Sequence, residues 1–151
     1  MKMFKILAVS AAMFGLLGGV AQAADADKVI QKRKGVMTVI GANMGFMGCT
    51  LKGKCDAGPK VTLKQAKSLA FAASISLATF KKNARGASIK TTASPKIWDD
   101  WKGYKKGMGM MVTRANALVD AVKSGEKKRM GMAMKDLGQT CKGCHDNFRE
   151  K

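Results

Sequence analysis

Residues 126–149 read EKKRMGMAMKDLGQTCKGCHDNFR and combine a helical repeat with a compact cysteine motif. Cys141 and Cys144 are three positions apart and His145 is four from Cys141, so on a helix these side chains share one face. Other apolar side chains continue that face at helical spacing: Met130, Met134, Leu137 and Phe148. The pattern predicts a helix over 126–149 whose last two turns carry a binding site.

The motif Cys141-Lys142-Gly143-Cys144-His145 is typical of covalent haem attachment. The two thiols of such a motif add to the haem vinyl groups as thioethers, and the imidazole binds the iron. Because His145 is the only histidine in the chain, a second imidazole ligand is excluded. The sequence therefore predicts one covalently bound haem c.

The chain opens with a predicted signal peptide over 1–23. Two lysines precede an apolar run over 6–20, and an A-x-A cleavage site ends at Ala23. The run is shorter than the roughly 20 residues that span a bilayer. We expect cleavage to leave 24–151 as one soluble domain in the periplasm, and a retained signal acting as an anchor is the alternative.

Two other uses of the cysteines remain alternatives. A thiol redox couple shares the C-x-x-C spacing, but such couples lie in the strand-to-helix turn of an α/β fold. A zinc site would need Cys49 or Cys55 as a further ligand, and their C-x5-C spacing fits a zinc hairpin poorly. In an exported chain we expect Cys49 and Cys55 to form a disulfide instead.

The chain is strongly basic, with 28 lysines and arginines, 10 acidic residues and a formal charge of +18. Loss of the two lysines of the signal peptide lowers this to +16. The basic residues are scattered, and no nucleic-acid-binding motif accompanies them. We expect transient redox partners with acidic docking surfaces and no nucleic acid; a merely self-repelling surface is the alternative.

Three further helices are predicted, and no long strand-like alternation is present. The first has a core stripe of Ile30, Arg33, Met37, Ile40, Met44 and Met47. A loop over 48–60 follows it, and the second helix is expected to begin at Thr62, in a capping box with Gln65, and to end near Asn83. The third runs from Pro95 to Ser124, with a buried stripe of Ile97, Trp101, Tyr104, Met108, Met111, Ala115, Leu118 and Val122. These lengths predict an all-α, antiparallel up-down-up-down four-helix bundle whose methionine-rich core is completed by haem.

Three segments resemble class II cytochromes c, the class that includes cytochrome c-prime and its low-spin relatives: RKGVM over 33–37, SPKIW over 94–98 and CKGCHDNFR over 141–149. The resemblance covers essentially all of 24–151. It implies a four-helix bundle with one haem c, and by analogy a possible homodimer.

The resemblance also implies a branching point at Met37, four positions after Arg33. In cytochrome c-prime an apolar residue there shields the iron, which stays five-coordinate, whereas low-spin members place a methionine that binds it. Thioether sulfur is a suitable ligand, so we expect His145 and Met37 to bind the iron from opposite sides. A packing role for Met37, or Met44 as the ligand, is the alternative.

By the same resemblance, Arg33 pairs with a haem propionate, Trp98 lies near the haem edge and Arg149 packs beside His145. A boundary position that reaches solvent is the alternative for Arg33. A basic residue such as Arg149 is favoured near a helix C-terminus without any ligand.

The sequence therefore predicts a periplasmic monohaem electron carrier with six-coordinate iron, belonging to the low-spin branch. We expect no enzyme, because the single histidine is already used and no catalytic dyad or triad remains. The alternative is a five-coordinate cytochrome c-prime that binds nitric oxide or carbon monoxide.

Overall fold

The computed structural model describes the backbone of residues 14–55 and 57–150, and side chains from residue 23 onwards within those ranges. The helices, in chain order, are α1 (Phe14–Leu51), α2 (Pro59–Ser76), a 3-10 turn (Leu77–Phe80), α3 (Lys96–Asp99), α4 (Trp101–Lys123) and α5 (Lys127–Phe148). The four long helices, α1, α2, α4 and α5, form a bundle. This confirms the predicted all-α four-helix bundle.

Side-chain contacts define the two ends of the bundle. The Phe80 and Tyr104 ring centroids are 5.2 Å apart, and those of Tyr104 and Phe148 are also 5.2 Å apart. The end of the α2 segment, the start of α4 and the end of α5 therefore meet at one end, which we call the motif end. The short connection between α1 and α2 lies at the other end.

The core lies mainly between α2 and α4. Small side chains let the helices approach closely, and larger ones fill the remaining space; the fully buried residues include Ala66, Leu69, Ala115 and Leu118. By contrast, α5 buries only Leu137 completely, and among the adjacent pairs of long helices α1 and α5 make the least extensive contact. The α1–α5 side is thus the least tightly packed side of the bundle.

The first helix is longer than predicted at its C-terminal end. The sequence predicts a loop from Gly48, but α1 continues to Leu51, and the chain turns at Gly53, whose φ is +67°. At the other end α1 runs through Ala23, the predicted cleavage position, without interruption. Most of the predicted signal peptide's side chains, and the backbone of residues 1–13, lie outside the described residues.

The predicted capping box at Thr62 is wrong. The N-cap of α2 is Gly58 with Pro59 in the first turn, where proline's missing N–H removes no helical hydrogen bond. The Thr62 hydroxyl instead donates to the carbonyls of Ala57 and Gly58. The α-helix also ends at Ser76, before the predicted end near Asn83, because the chain tightens into the 3-10 turn.

The predicted third helix is divided in two. Residues 96–99 form α3, and Asp100 then leaves the helical conformation with φ −116° and ψ 59°. Its carboxylate accepts a hydrogen bond from the Gly103 N–H at 2.9 Å, so Asp100 caps α4. Met108, Met111, Leu118 and the rest of the predicted stripe are buried, except for half-buried Trp101.

The disulfide between Cys49 and Cys55 is confirmed, with Cα atoms 5.3 Å apart. It links the last turn of α1 to the loop before α2, at the end of the bundle opposite the motif end. Both sulfurs are therefore unavailable as zinc ligands.

Candidate haem-attachment site

The last two turns of α5 carry the two cysteines of the motif as free thiols. Cys141 and Cys144 are half-buried and pack against the hydrophobic core. The Cys144 sulfur faces Gly107 of α4, where an added Cβ would lie 4.0 Å from it. Both thiols thus project from α5 towards the bundle, as predicted, although neither is fully buried.

Burial raises the pKa of the Cys141 thiol, and burial followed by the nearby Cys141 raises the pKa of Cys144. Both groups are therefore neutral S–H groups at neutral pH. Neutral thiols are poorly suited to thiolate exchange chemistry.

His145 is exposed at the same end of α5. Partial burial lowers its pKa, the Arg149 cation lowers it further, and Asp146 raises it. The imidazole is therefore neutral at neutral pH, and a neutral imidazole is the form that binds metal.

Met37 lies half-buried on α1 and packs against the core. Of the other methionines on its stripe, Met44 is also half-buried, whereas Met47 is completely buried and is a packing residue. On α5, Met130 and Met134 are half-buried too. These four side chains therefore pack against the core as the stripes predict, but they are only partly buried.

Arg33 is 3% exposed, and its contacts are with protein groups. Its Nε donates to the Thr79 carbonyl at 2.8 Å, and Nη2 donates to the Lys82 carbonyl. The guanidinium carbon lies 5.1 Å from the Phe80 ring centroid and 5.0 Å from that of Trp98. Burial lowers the pKa of Arg33. The alternative of a boundary arginine that reaches solvent is therefore wrong, and pairing with a propionate stays a prediction.

Trp98 and Tyr104 belong to the same aromatic group at the motif end. The Trp98 indole N–H donates to the Phe80 carbonyl at 2.9 Å. Tyr104 is 2% exposed and packs between Phe80 and Phe148. Burial and the neighbouring Cys144 raise the pKa of Tyr104, so its hydroxyl stays protonated. The sequence identified Tyr104 only as a core residue. Tyr104 precedes Gly107 by one helical turn and shares its face of α4. Because Gly107 faces the Cys144 sulfur, this spacing also places Tyr104 near Cys144.

Arg149 ends α5 and is exposed. Its backbone N–H donates to the His145 carbonyl at 3.1 Å, and its Nε donates to the Thr92 hydroxyl at 3.2 Å. Arg149 therefore lies near His145, where its charge affects the imidazole, but its hydrogen bonds stabilise the helix terminus.

An open cleft of about 500 Å³ also lies at the motif end. Its lining residues are Lys96, Asp99, Asp100, Gly103, Asn147 and Phe148. Because it includes neither cysteine of the motif nor Met37, it is separate from the candidate haem site.

The residues present fit a covalently bound haem. Two thiols and a neutral imidazole lie on one helix, and half-buried apolar side chains of α1 and α5 provide an apolar surface for a macrocycle. A zinc site is not supported, because no group of three or more His, Cys, Asp or Glu side chains within the described ranges is arranged to hold a metal. A redox couple is not supported either, since the motif lies inside a helix. Fold and site together define a helical-bundle c-type cytochrome.

Comparison with known proteins identifies the family. A sequence profile described as Cytochrome C′ matches residues 28–149, and the chain belongs to the cytochrome c′ family, whose members are non-enzymatic proteins that carry covalent haem c. It is 34% identical over 149 residues to cytochrome c′ of Rhodospirillum rubrum, with 99% of each chain covered. It is 31% identical over 143 residues to cytochrome c-554 of Cereibacter sphaeroides, covering 91% of this chain and 93% of that one.

The fold matches solved members of the family. The structure of cytochrome c prime from Shewanella frigidimarina aligns with a TM-score of 0.76 and 29% identity, covering 83% of this chain and 97% of that one. The predictions of a class II cytochrome c and of a protein without enzymatic activity are thus confirmed at the level of the family. Membership of the family does not distinguish its high-spin from its low-spin members, so the assignment of this chain to the low-spin branch stays a prediction.

Proposed function

We propose that this chain is a five-coordinate haem c protein that binds nitric oxide or carbon monoxide, with Met37 shielding the open side of the iron. The observation that carries the proposal is the similarity over 99% of the chain to a protein named cytochrome c′. By the resemblance described above, proteins of that type keep one side of the iron open to small ligands. The haem would supply the iron centre that binds the gas.

In this proposal, different residues of the chain anchor the haem, bind the iron and shield its open side. Cys141 and Cys144 would anchor the macrocycle to α5, and neutral His145 would hold the iron from the exposed side. Half-buried Met37, with Val36 beside it on α1, would present an apolar surface to the other side. An apolar surface disfavours water and ionic ligands there, and the flexible methionine chain can yield to a diatomic gas.

A six-coordinate electron carrier is the second candidate. It is favoured by Met37 itself, whose thioether is a suitable iron ligand, and by the 31% identical relative named cytochrome c-554. In that case methionine ligation would raise the reduction potential relative to two nitrogen ligands.

Replacement of Met37 by alanine distinguishes the two candidates. If Met37 is a shield, the wild-type haem protein is high-spin, and M37A stays high-spin but binds carbon monoxide faster. We expect a rate increase of roughly tenfold, which corresponds to removing about 1.4 kcal/mol of steric barrier. The measurements are the optical spectrum and stopped-flow mixing with carbon monoxide.

M44A is the matched control, because Met44 is the other half-buried methionine of the same stripe. Its spectrum and binding rate should match those of the wild type. A wild-type spectrum that is low-spin, with a methionine-to-iron band lost in M37A and kept in M44A, would instead support the electron carrier.

We also propose export to the periplasm with cleavage after Ala23 and, for re-reduction, transient partners with acidic surfaces. The A-x-A sequence and the basic mature chain support this. The intact mass of the purified protein tests both processing and the haem, because it should equal that of residues 24–151 plus one haem.

A further inference from the structure

Arg33 is almost completely buried and contacts two aromatic rings and two backbone carbonyls. Its guanidinium lies between the Phe80 and Trp98 rings, at 5.1 Å and 5.0 Å from their centroids. Two of its N–H groups donate to the carbonyls of Thr79 and Lys82. These carbonyls belong to the end of the α2 segment, where helical N–H partners have run out.

Trp98 extends this network to the third helical segment. Its indole N–H donates to the Phe80 carbonyl at 2.9 Å while its ring stacks on Arg33. One side chain of α1 therefore connects three parts of the fold, namely α1, the 3-10 turn and α3. Because a buried cation needs partners, the arrangement is specific to the planar, multi-donor guanidinium.

Met37 lies one helical turn after Arg33 on the same face of α1. Contacts at Arg33 that fix the rotation of α1 about its axis and its position along that axis therefore also fix the position of Met37. The network is at the motif end, where Tyr104 and Cys144 also lie.

We propose that Arg33 is a positioning residue that fixes Met37 at the open side of the iron, by binding the carbonyls at the end of the α2 segment and stacking on Trp98. The partners that give Arg33 this role are protein groups. This inference rests on the proposed function in one respect, since it takes Met37 to border the iron.

The test compares R33K and R33M with the wild-type haem protein. Lysine keeps the charge but lacks the planar fork of donors, and methionine removes both. If Arg33 positions α1, both variants show amide hydrogen exchange over 77–83 that is faster by about tenfold, the scale of losing one hydrogen bond to a charged group. Both also bind carbon monoxide faster, because Met37 is less constrained.

W98F serves as a milder variant, because it keeps an aromatic ring beside Arg33 and removes only the indole donor. It should accelerate exchange over the same segment to a smaller degree, and it keeps the proposal testable if R33M does not fold. R114K and R114M are matched controls, since Arg114 is half-exposed and pairs with Asp136 at 3.6 Å. They should leave the segment and the binding rate unchanged.

The proposal is overturned if R33K behaves as the wild type while R33M alters the pH dependence of the potential, which is the outcome for a propionate partner. It is also overturned if exchange over 77–83 is unchanged in R33K. A low-spin wild type that does not bind carbon monoxide would refute the proposed function instead. The exchange comparison, with the shift of the methionine-to-iron band in R33K, would then still decide the role of Arg33.

Discussion

Asp27 shows how one partly exposed carboxylate organises a loop that has no helical pattern. Its Oδ1 accepts hydrogen bonds from the Ser88 N–H at 2.7 Å and the Ile89 N–H at 3.0 Å, and its Oδ2 accepts one from the Ser88 hydroxyl. These bonds, the Ser88 hydroxyl first, lower the pKa of Asp27. The connection before α3 is thereby held against α1.

The lowered pKa of Asp27 predicts a pH-dependent contribution to stability. The unfolded carboxyl has a pKa of about 3.9, so the contribution is present above that value and is lost as the pH falls through the lower folded pKa. We expect D27A to lower Tm at pH 7 and to have the same Tm as the wild type at acid pH. D25A is the control, because Asp25 only pairs with exposed Lys28 on the same helix. An equal effect of D27A at both pH values would contradict the prediction.

Gly103 is required by the cap of α4. A Cβ at this position would overlap with the Asp100 carboxylate that accepts the Gly103 N–H. We expect G103A to destabilise the protein by about 1 kcal/mol through loss of the N-cap. At exposed Gly109, where nothing lies within 4 Å of an added Cβ, G109A should stabilise it by about 0.5–1 kcal/mol. Denaturant unfolding measures both, and the same sign for the two variants would refute this account.

At the scale of the elements, α5 is unusual because it combines the haem motif with little burial. Leu137 is its only fully buried residue, and the half-buried side chains packed against the core are two methionines, two cysteines, Ala133 and Phe148. The helix is therefore held by its close packing on α4 and, in the proposed haem protein, by the covalent macrocycle.

The burial of Leu137 predicts a large effect of one substitution on α5. L137A should destabilise the protein by about 2–5 kcal/mol, because it removes buried methyl groups and leaves a cavity. M132A on the same helix should change stability by less than about 0.5 kcal/mol, since Met132 is 53% exposed. Urea unfolding of the haem protein gives both values. Similar losses in the two variants would show that α5 is not anchored at Leu137.

The helix limits differ in how far the sequence predicts them. The bounds of α5 are predicted to within one residue, because Gly125 and the end of the apolar stripe are local signals. The start of α2 is not predicted correctly, because Gly58-Pro59 and Thr62 can each begin that helix. The break at Asp100 is not predicted either, because Pro95 and Asp100 can each begin a helix. In both cases the local sequence allows either helix start, so tertiary packing determines which of the two is used.

At the scale of the whole molecule, charge is the dominant feature. Residues 24–151 carry a formal charge of +16, and no helix in the described part of the chain is long and apolar enough to cross a membrane. A strongly positive protein attracts anions over distances set by ionic strength.

This charge predicts salt-dependent reaction rates. Reduction of the ferric protein by anionic ascorbate should slow several-fold as ionic strength rises from about 0.01 to 0.15 M, where the Debye length falls from about 30 to 8 Å. Reduction by a neutral hydroquinone is the control and should be insensitive to salt. Stopped-flow absorbance measures both rates. Equal salt dependence would show that the charge does not steer anions to the haem.

The sequence by itself determined the class of fold, the haem motif, the disulfide and the family, because each depends on local spacing or on residue types. Only the tertiary structure decided the surroundings of Arg33, the half-burial of Met37 and Met44, and the position of Tyr104 beside Cys144. These depend on how separate helices approach one another, which periodicity along one helix does not encode. An arginine on a core stripe predicts that an acceptor is needed, and the fold supplies two backbone carbonyls more than 45 positions away along the chain.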